Sequence, residues 1–312
     1  TNALQQVPVM GDRMIEHIRK TKSSIKQLVV PGMFFEDMGI TYLGPIPGHN
    51  LPMLCKALKE AKKVEGPVLL HVMTTKGKGY EPAETAPDKF HGIGPFDIES
   101  GKVLAKKDGD TYTDVFGKVL CDEASRNPDI VAITAAMADG TGLARFKKHY
   151  PERFFDVGIA EEHGVTFAAG LAAGGLKPVF AVYSSFLQRG YDQLIHDVAL
   201  QNLPVVLGVD RAGLVGSDGE THQGIFDLSF LSNIPNMTVM SPKNKWELAD
   251  MLRFALQMNS PVAIRYPRGK AYDGYEGCRE KISYGKSEWI FEGKEIAILS
   301  VGHMFEEAVK TR

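Results

Sequence analysis

Acids, arginines, histidines and glycines gather at the ends of apolar runs in this chain, and those clusters are where chemistry would sit. One is Ala160-Glu161-Glu162-His163-Gly164, heading an alanine- and glycine-rich stretch. Acids in a first helical turn meet the positive end of the helix dipole, which alone would account for them. The alternative is a carboxylate held at an edge where a ligand arrives. A second cluster, Tyr183-Ser184-Ser185-Phe186-Leu187-Gln188-Arg189, joins two aromatic rings to an arginine. Its plain reading makes a serine the helix cap, Phe186 core and Arg189 surface. The third runs from Asp210-Arg211-Ala212-Gly213 through Gly216-Ser217-Asp218-Gly219-Glu220-Thr221-His222-Gln223-Gly224. A loop that only connects rarely needs such a mixture, so this one points to function. Arg265-Tyr266-Pro267-Arg268-Gly269 offers two guanidiniums that either fork onto a phosphate or pair with surface acids. Thr74-Thr75-Lys76-Gly77-Lys78-Gly79-Tyr80 is a Gly-rich basic turn without P-loop spacing.

Other chemistries lack their residues. Asp108-Gly109-Asp110 begins like a cation loop, but no further oxygen ligands follow at the required spacing. His163, His196 and His222 do not stand at zinc-ligand intervals with cysteines. No G-x-S-x-G elbow offers a hydrolase nucleophile. Cys55, Cys121 and Cys278 form no C-x-x-C pair, which reads as free thiols in a reducing compartment. Thirty-six basic against 38 acidic residues leave a net charge of -2, which argues against a coat for nucleic acid or an anionic membrane. The longest weakly polar stretch, 165–176, is shorter than the ~18 apolar residues of a membrane span. Residues 1–6 show no signal-peptide pattern.

The elements that would position these clusters follow from periodicity. A chain of 312 residues, 44% hydrophobic and 24% charged, is long enough for two domains, or for one with parts of others. Met14, Ile18, Ile25 and Leu28 mark a helical stripe, and Leu51, Leu54, Leu58 and Ala61 a second. Residues 67–73 read as a strand apolar on both faces. The Pro- and Gly-rich stretch 81–110 is a linker or an ordered excursion. From residue 111 a rhythm sets in: strands at 129–135, 154–159, 178–183, 204–210, 237–241 and 261–266, with helices at 161–173, 187–201 and 243–258. Alternation of that kind predicts an α/β fold, a parallel sheet with helices on both faces. Ligands in such sheets bind beyond the carboxyl ends of the strands, which is where the clusters stand. After another linker, 295–300 reads as a first strand of a further α/β domain. With no initial methionine and an end inside a helical pattern, the chain reads as a fragment or a processed product. No repeat period appears, so a solenoid is excluded.

Taken together the segments resemble the thiamine diphosphate enzymes of the transketolase superfamily, and within it the 1-deoxy-D-xylulose-5-phosphate synthases. The resemblance is carried by Val30-Pro31-Gly32-Met33-Phe34-Phe35-Glu36, by Lys76-Gly77-Lys78-Gly79-Tyr80-Glu81-Pro82-Ala83-Glu84, and by Asp156-Val157-Gly158-Ile159-Ala160-Glu161-Glu162-His163. It continues through the Tyr183–Arg189 cluster, Asp210 to Gly216, Thr221-His222-Gln223-Gly224 and Arg265 to Gly269, in order along nearly the whole chain.

The resemblance implies three domains: residues 1–110 as the end of a diphosphate-binding domain with a linker, 111–272 as a pyrimidine-binding domain, and 283–312 as the start of a third. It implies a transferase that joins pyruvate, after decarboxylation, to glyceraldehyde 3-phosphate, feeding isoprenoid and thiamine biosynthesis. The implied enzyme is a homodimer in a bacterial cytoplasm or plastid stroma, with no nucleic acid or membrane partner. Glu161 would bond the pyrimidine ring nitrogen and drive the tautomer that deprotonates the cofactor. Phe186 would stack on the pyrimidine, while Tyr80 and Lys76 would reach the cofactor from the neighbouring domain. Tyr183, Arg211 and Arg268 would receive the triose phosphate. Asp218, His222, His91 and Arg189 would handle the pyruvate carboxylate and the proton transfers. One departure stands out. The family's Gly-Asp-Gly motif and its following asparagine, which hold Mg2+ and the diphosphate, have no counterpart here, so no metal ligand is assigned. Another transketolase-like ketol transferase, a ketoacid dehydrogenase component, or an inactive piece that folds and pairs are the competing readings.

Overall fold

The computed structural model describes residues 33–104 and 109–312. The helical stripe at 14–28, the segment Val30-Pro31-Gly32 and Asp108 lie outside the described residues. The chain divides between Lys106 and Lys107 into two units.

In the first unit β1 (Thr41–Pro47) lies parallel to β2 (Val68–Met73), with the helix Leu51–Ala61 as crossover. Asn50 caps that helix, its side chain accepting from the Met53 amide at 3.1 Å, and Pro52 occupies a first-turn position where no amide donor is needed. Apolar periodicity does not reveal β1, because Gly44-Pro45 interrupts it and the register slips between Leu43 and Ile46. β2 was expected to be buried on both faces and is instead half-buried, with Met73 exposed. Burying both faces takes a layer on each side, and among the described residues the unit has two strands and one long helix. The stretch 81–104 is ordered around Tyr80, Phe90 and Phe96, whose ring centroids lie 5.4 to 6.0 Å apart.

The second unit is a six-stranded, wholly parallel sheet in the order β4-β3-β5-β6-β8-β7. Its strands are β3 (Ile130–Thr134), β4 (Phe154–Asp156), β5 (Lys177–Tyr183), β6 (Val206–Asp210), β7 (Thr238–Met240) and β8 (Val262–Arg265). Each central strand splits its side chains between two cores, as a period of two requires. Val179 and Ala181 of β5 face one core with Phe116, Leu120, Leu248 and Leu252. Phe180 and Val182 face the other with Val165, Ala168, Leu194 and Val198. Full burial of each such Val, Leu, Ile or Phe contributes about 1.5–3 kcal/mol, so this two-sided core dominates stability. Helix Tyr112–Ala124 starts with a capping box: Asp114 N donates to Thr111 Oγ1 at 3.1 Å, and Thr111 N returns to Asp114 Oδ2 at 3.0 Å. That helix packs so closely that a methyl at Gly208 of β6 would lie 2.5 Å from Phe116 Cζ.

The α/β class and parallel sheet agree with the sequence reading, with three differences. β4 stops at Asp156, short of 159, because Asp156 Oδ1 accepts from the Ala136 and Gly158 amides at 2.8 and 3.0 Å. Gly158, at φ +73°, then turns the chain out of the sheet. The helix expected at 187–201 is a run of short turns ending in a π-helix, Leu194–Ala199. Residues 295–300 form no strand. Ile296 and Leu299 are 81% and 93% exposed, and no described strand lies beside them to complete a ladder. The helix Met304–Thr311 does follow. No helix among the described residues is long and apolar enough to cross a membrane.

Candidate functional site

From β3 the chain moves outward to β4 on one side, and from β5 it moves to β6 on the other. Connections that part in this way open a crevice at the carboxyl ends of β3 and β5. Tyr183 ends the β5 strand, Asp210 ends β6, and Arg265 ends β8, so their following loops share one edge.

Glu161 is the first residue of the helix Glu161–Ala173 and is 2% exposed. Arg189 Nη1 donates to its Oε1 at 2.8 Å, from a side chain half in solvent. The same guanidinium stands 5.4 Å from the Phe186 ring centroid. Phe186 stacks on Tyr183 at 5.6 Å and 18°, and His222 meets both rings edge-on, at 5.1 and 6.3 Å. The Arg211 guanidinium lies 4.0 Å over the other aromatic, Tyr183. A chain of contacts therefore runs from Glu161 to Arg211 along the sheet's edge.

Arg211 is held from several sides. Its Nη1 lies 3.1 Å from Asp210 Oδ1 and donates to the Gly140 carbonyl at 2.6 Å, in the loop after β3. Its Nε donates to Asp218 Oδ2 at 3.4 Å. Asp218 also receives Arg268, Nε to Oδ1 at 3.1 Å. Two guanidiniums from two strand ends thus converge on a single carboxylate, the donor geometry that an oxyanion requires. Arg211 sits at φ +59°, left-handed backbone that a non-glycine residue adopts at some cost. Gly224 is the counterpart of that turn: it exchanges backbone bonds with Gly213 at 2.7 and 2.8 Å, and a methyl there would strike the Arg211 carbonyl.

Burial sets the electrostatics. Asp210 is fully buried and its carboxyl is raised by desolvation, against which Arg211 and the Thr113 hydroxyl (2.7 Å) pull it down. Burial also raises Tyr183, with Arg211 opposing, and pushes Tyr266 well up. For Arg211 burial works downward, but Asp210 and then Tyr183 outweigh it, and the net direction is up.

The residues expected from the sequence divide between the units. Glu161, Phe186, Tyr183, Arg189, Arg211, Asp218, His222 and Arg268 come together in the second. Lys76, Tyr80 and His91 belong to the first. There Lys76 and His91 are exposed, while the Tyr80 hydroxyl donates to the Ile98 carbonyl at 2.7 Å and its ring joins Phe90 and Phe96. Of the two arginines in 265–269, Arg265 is not a surface group: it is buried and gripped by Asp227. Sequence reasoning missed Asp210 as the partner of Arg211, although a carboxylate ending an apolar run signals it. It missed Gly140, whose carbonyl leaves no side-chain signal.

A bound pyrimidine would find a buried carboxylate and an aromatic face here. The hydroxyls of Ser184 and Ser185, beside Phe186, are also buried without protein partners. That donor set fits such a ring. No three carboxylate, histidine or cysteine side chains gather to hold a metal ion among the described residues.

Residues 109–272 match the family described as transketolase, pyrimidine binding domain, and residues 1–74 match 1-deoxy-D-xylulose-5-phosphate synthase. The chain is 56% identical over 310 residues to 1-deoxy-D-xylulose-5-phosphate synthase of Lachnoclostridium phytofermentans, covering 99% of this chain and 50% of the relative. It is 56% identical over 308 residues to the Caldanaerobacter subterraneus protein of that name, covering 99% and 49%. The chain thus spans about half the length of these curated relatives. Among solved structures it is similar to a split-gene transketolase, described as an inactive beta4 tetramer, with TM-score 0.59 and 28% identity over 65% of this chain and 66% of that one.

Proposed function

This chain belongs to the transketolase pyrimidine-binding-domain family, and from that premise we propose that it forms the pyrimidine and acceptor-phosphate side of a 1-deoxy-D-xylulose-5-phosphate synthase. The activity is that of a transferase condensing decarboxylated pyruvate with glyceraldehyde 3-phosphate, within isoprenoid and thiamine biosynthesis. Residues 1–110 are the end of a diphosphate-binding domain with a linker, 111–272 the pyrimidine domain and 283–312 the start of a third. The assembly is a homodimer working in the cytoplasm.

The observation that carries this reading is the convergence of Arg211 and Arg268 on Asp218. A phosphate monoester needs paired, fixed donors, and a guanidinium supplies them as a fork. Tyr183 lies under the Arg211 guanidinium. Thiamine diphosphate, when bound, supplies the carbanion chemistry of the reaction. This chain's own residues do the rest. Glu161, shielded from water, holds a proton between its carboxylate and the pyrimidine nitrogen, where the interaction is little screened. Phe186 offers its face to the ring. His222, touching both Tyr183 and Phe186, carries the proton transfers, with Asp218 and Arg189 beside the pyruvate carboxylate. Lys76 and Tyr80 are proposed for the cofactor and His91 for proton transfer. Mg2+ has no seat among the described residues, and no step is assigned to it.

The test compares glyceraldehyde 3-phosphate with unphosphorylated glyceraldehyde as acceptors for the full-length protein. Arg268 is 42% exposed, so Arg268→Ala leaves folding nearly intact. It should lose about 2–5 kcal/mol of kcat/KM toward the phosphorylated acceptor and most of the preference for it. A preference that survives places the phosphate elsewhere and sinks the reading.

A further inference from the structure

The far end of the site loop is gripped by a buried ion pair that substrate chemistry does not use. The loop leaves β6 with Arg211, carries Asp218 and His222, and ends at Asp227, the first residue of the helix Asp227–Leu231. Asp227 is 1% and Arg265 7% exposed. Arg265 Nε donates to Asp227 Oδ2 at 2.8 Å and Nη2 to Oδ1 at 3.2 Å, a two-pronged hold on the carboxylate. Its Nη1 reaches Ser241 Oγ at 3.4 Å, just past β7.

Position gives the pair its meaning. In the sheet Arg265 is the register partner of Val209, two residues before Arg211. The grip therefore fixes the loop's end beside the strand from which the loop departs, and the Gly213–Gly224 bonds close the neck between them. Asp218 can meet both Arg211 and Arg268 only while the loop keeps that path. Stability alone is a weak reason for such a pair, because an apolar pair of similar volume usually does as well or better in a core. An apolar pair cannot supply a directional hold on the loop's last residue.

We propose that Arg265 and Asp227 are a positioning pair that keeps Asp218 and His222 in register with Arg211 and Arg268. The inference rests on the acceptor-phosphate reading for its kinetic consequence, though not for its structural one. Three variants of the full-length protein test it: Arg265→Lys, which keeps the charge and loses the fork; Asp227→Asn; and the double apolar replacement Arg265→Met with Asp227→Leu.

Amide hydrogen exchange at Gly213 and Gly224 reads the loop directly, whatever the substrate. In the folded variants it should quicken roughly tenfold or more, and the preference for phosphorylated over unphosphorylated acceptor should fall by a similar factor, as small misplacements do. Arg265→Lys should lie between wild type and the apolar pair. Should the apolar pair not fold, Arg265→Lys carries the same comparison. Unchanged exchange in a folded variant overturns the proposal, and so does faster exchange with an undiminished phosphate preference. If wild type itself shows no phosphate preference, the acceptor reading fails, and exchange alone then decides whether the pair holds the loop.

Discussion

Replacing Arg211 by alanine should destabilise the fold far more than replacing Arg268, although both are assigned to one phosphate. The Arg211 side chain is 13% exposed and its partner Asp210 0%, against 42% and 19% for Arg268 and Asp218. Arg211→Ala leaves a carboxylate in the core without its counter-charge, a change that costs about 3–5 kcal/mol. Thr113 and the residue 211 amide still bond Asp210, both at 2.7 Å, which favours the lower half of that range. Arg268→Ala, at the surface, should cost less than about 1 kcal/mol. The sign of the pH dependence follows from burial. Desolvation raises the Asp210 carboxyl and Arg211 opposes it, so without Arg211 the group rises further. An acid whose folded pKa exceeds its unfolded value of 3.8 binds more protons when folded. Its contribution is fully present below that value and is lost as pH rises through the folded pKa. The deficit of Arg211→Ala should therefore be larger at about pH 8 than at about pH 5 in urea denaturation. Adding Asp210→Asn removes the stranded charge and should restore most of the loss. A pH-independent deficit below about 1 kcal/mol, or no rescue by the asparagine, refutes the reasoning.

Two further outcomes follow from the same geometry. Glu161→Gln should leave unfolding within about 1 kcal/mol of wild type, because Arg189 is half in water and resolvates freely, while turnover of the full-length protein falls about 10²–10⁴-fold; turnover near wild type would end the assignment. Thr111→Ala removes one arm of the capping box and should cost about 0.5–2 kcal/mol in chemical denaturation without changing the acceptor preference.

The sheet was legible because burial on both faces leaves a strong mark. Val206-Leu207-Gly208-Val209 and Val262-Ala263-Ile264 are short apolar runs that each end on a charged residue, Asp210 and Arg265, and both are strands buried end to end. Where a second force competed, the pattern misled. The run 154–159 looks continuous, but the Asp156 carboxylate captures two amides and ends the strand. β1 hides behind Gly44-Pro45, and 295–300 carries a strand's composition without a neighbour to pair with. Composition states what a segment could bury, whereas pairing depends on what lies beside it.

The site divides along a similar line. Polar side chains that follow an apolar run stand out by type, which is why the clusters holding Glu161, Tyr183, Arg211 and Arg268 could be picked from sequence, while the roles proposed for them came from the family resemblance. Groups that act through them are harder to see. Asp210 lies at the end of a run that otherwise reads as core, Gly140 contributes only a carbonyl, and Asp227 stands five residues past His222 in a stretch of ordinary composition. Arg265 shows the limit most clearly. It and Arg268 are two residues of one short motif and chemically identical, yet one lies 7% exposed in a buried pair and the other, half in solvent, pairs with Asp218. The β-strand period separates them: Arg265 is the last residue inside β8, and Arg268 comes after Tyr266-Pro267 has taken the chain out of the sheet. The structural distinction between them is therefore the position of a strand's end, and single-sequence reasoning resolves that boundary least well.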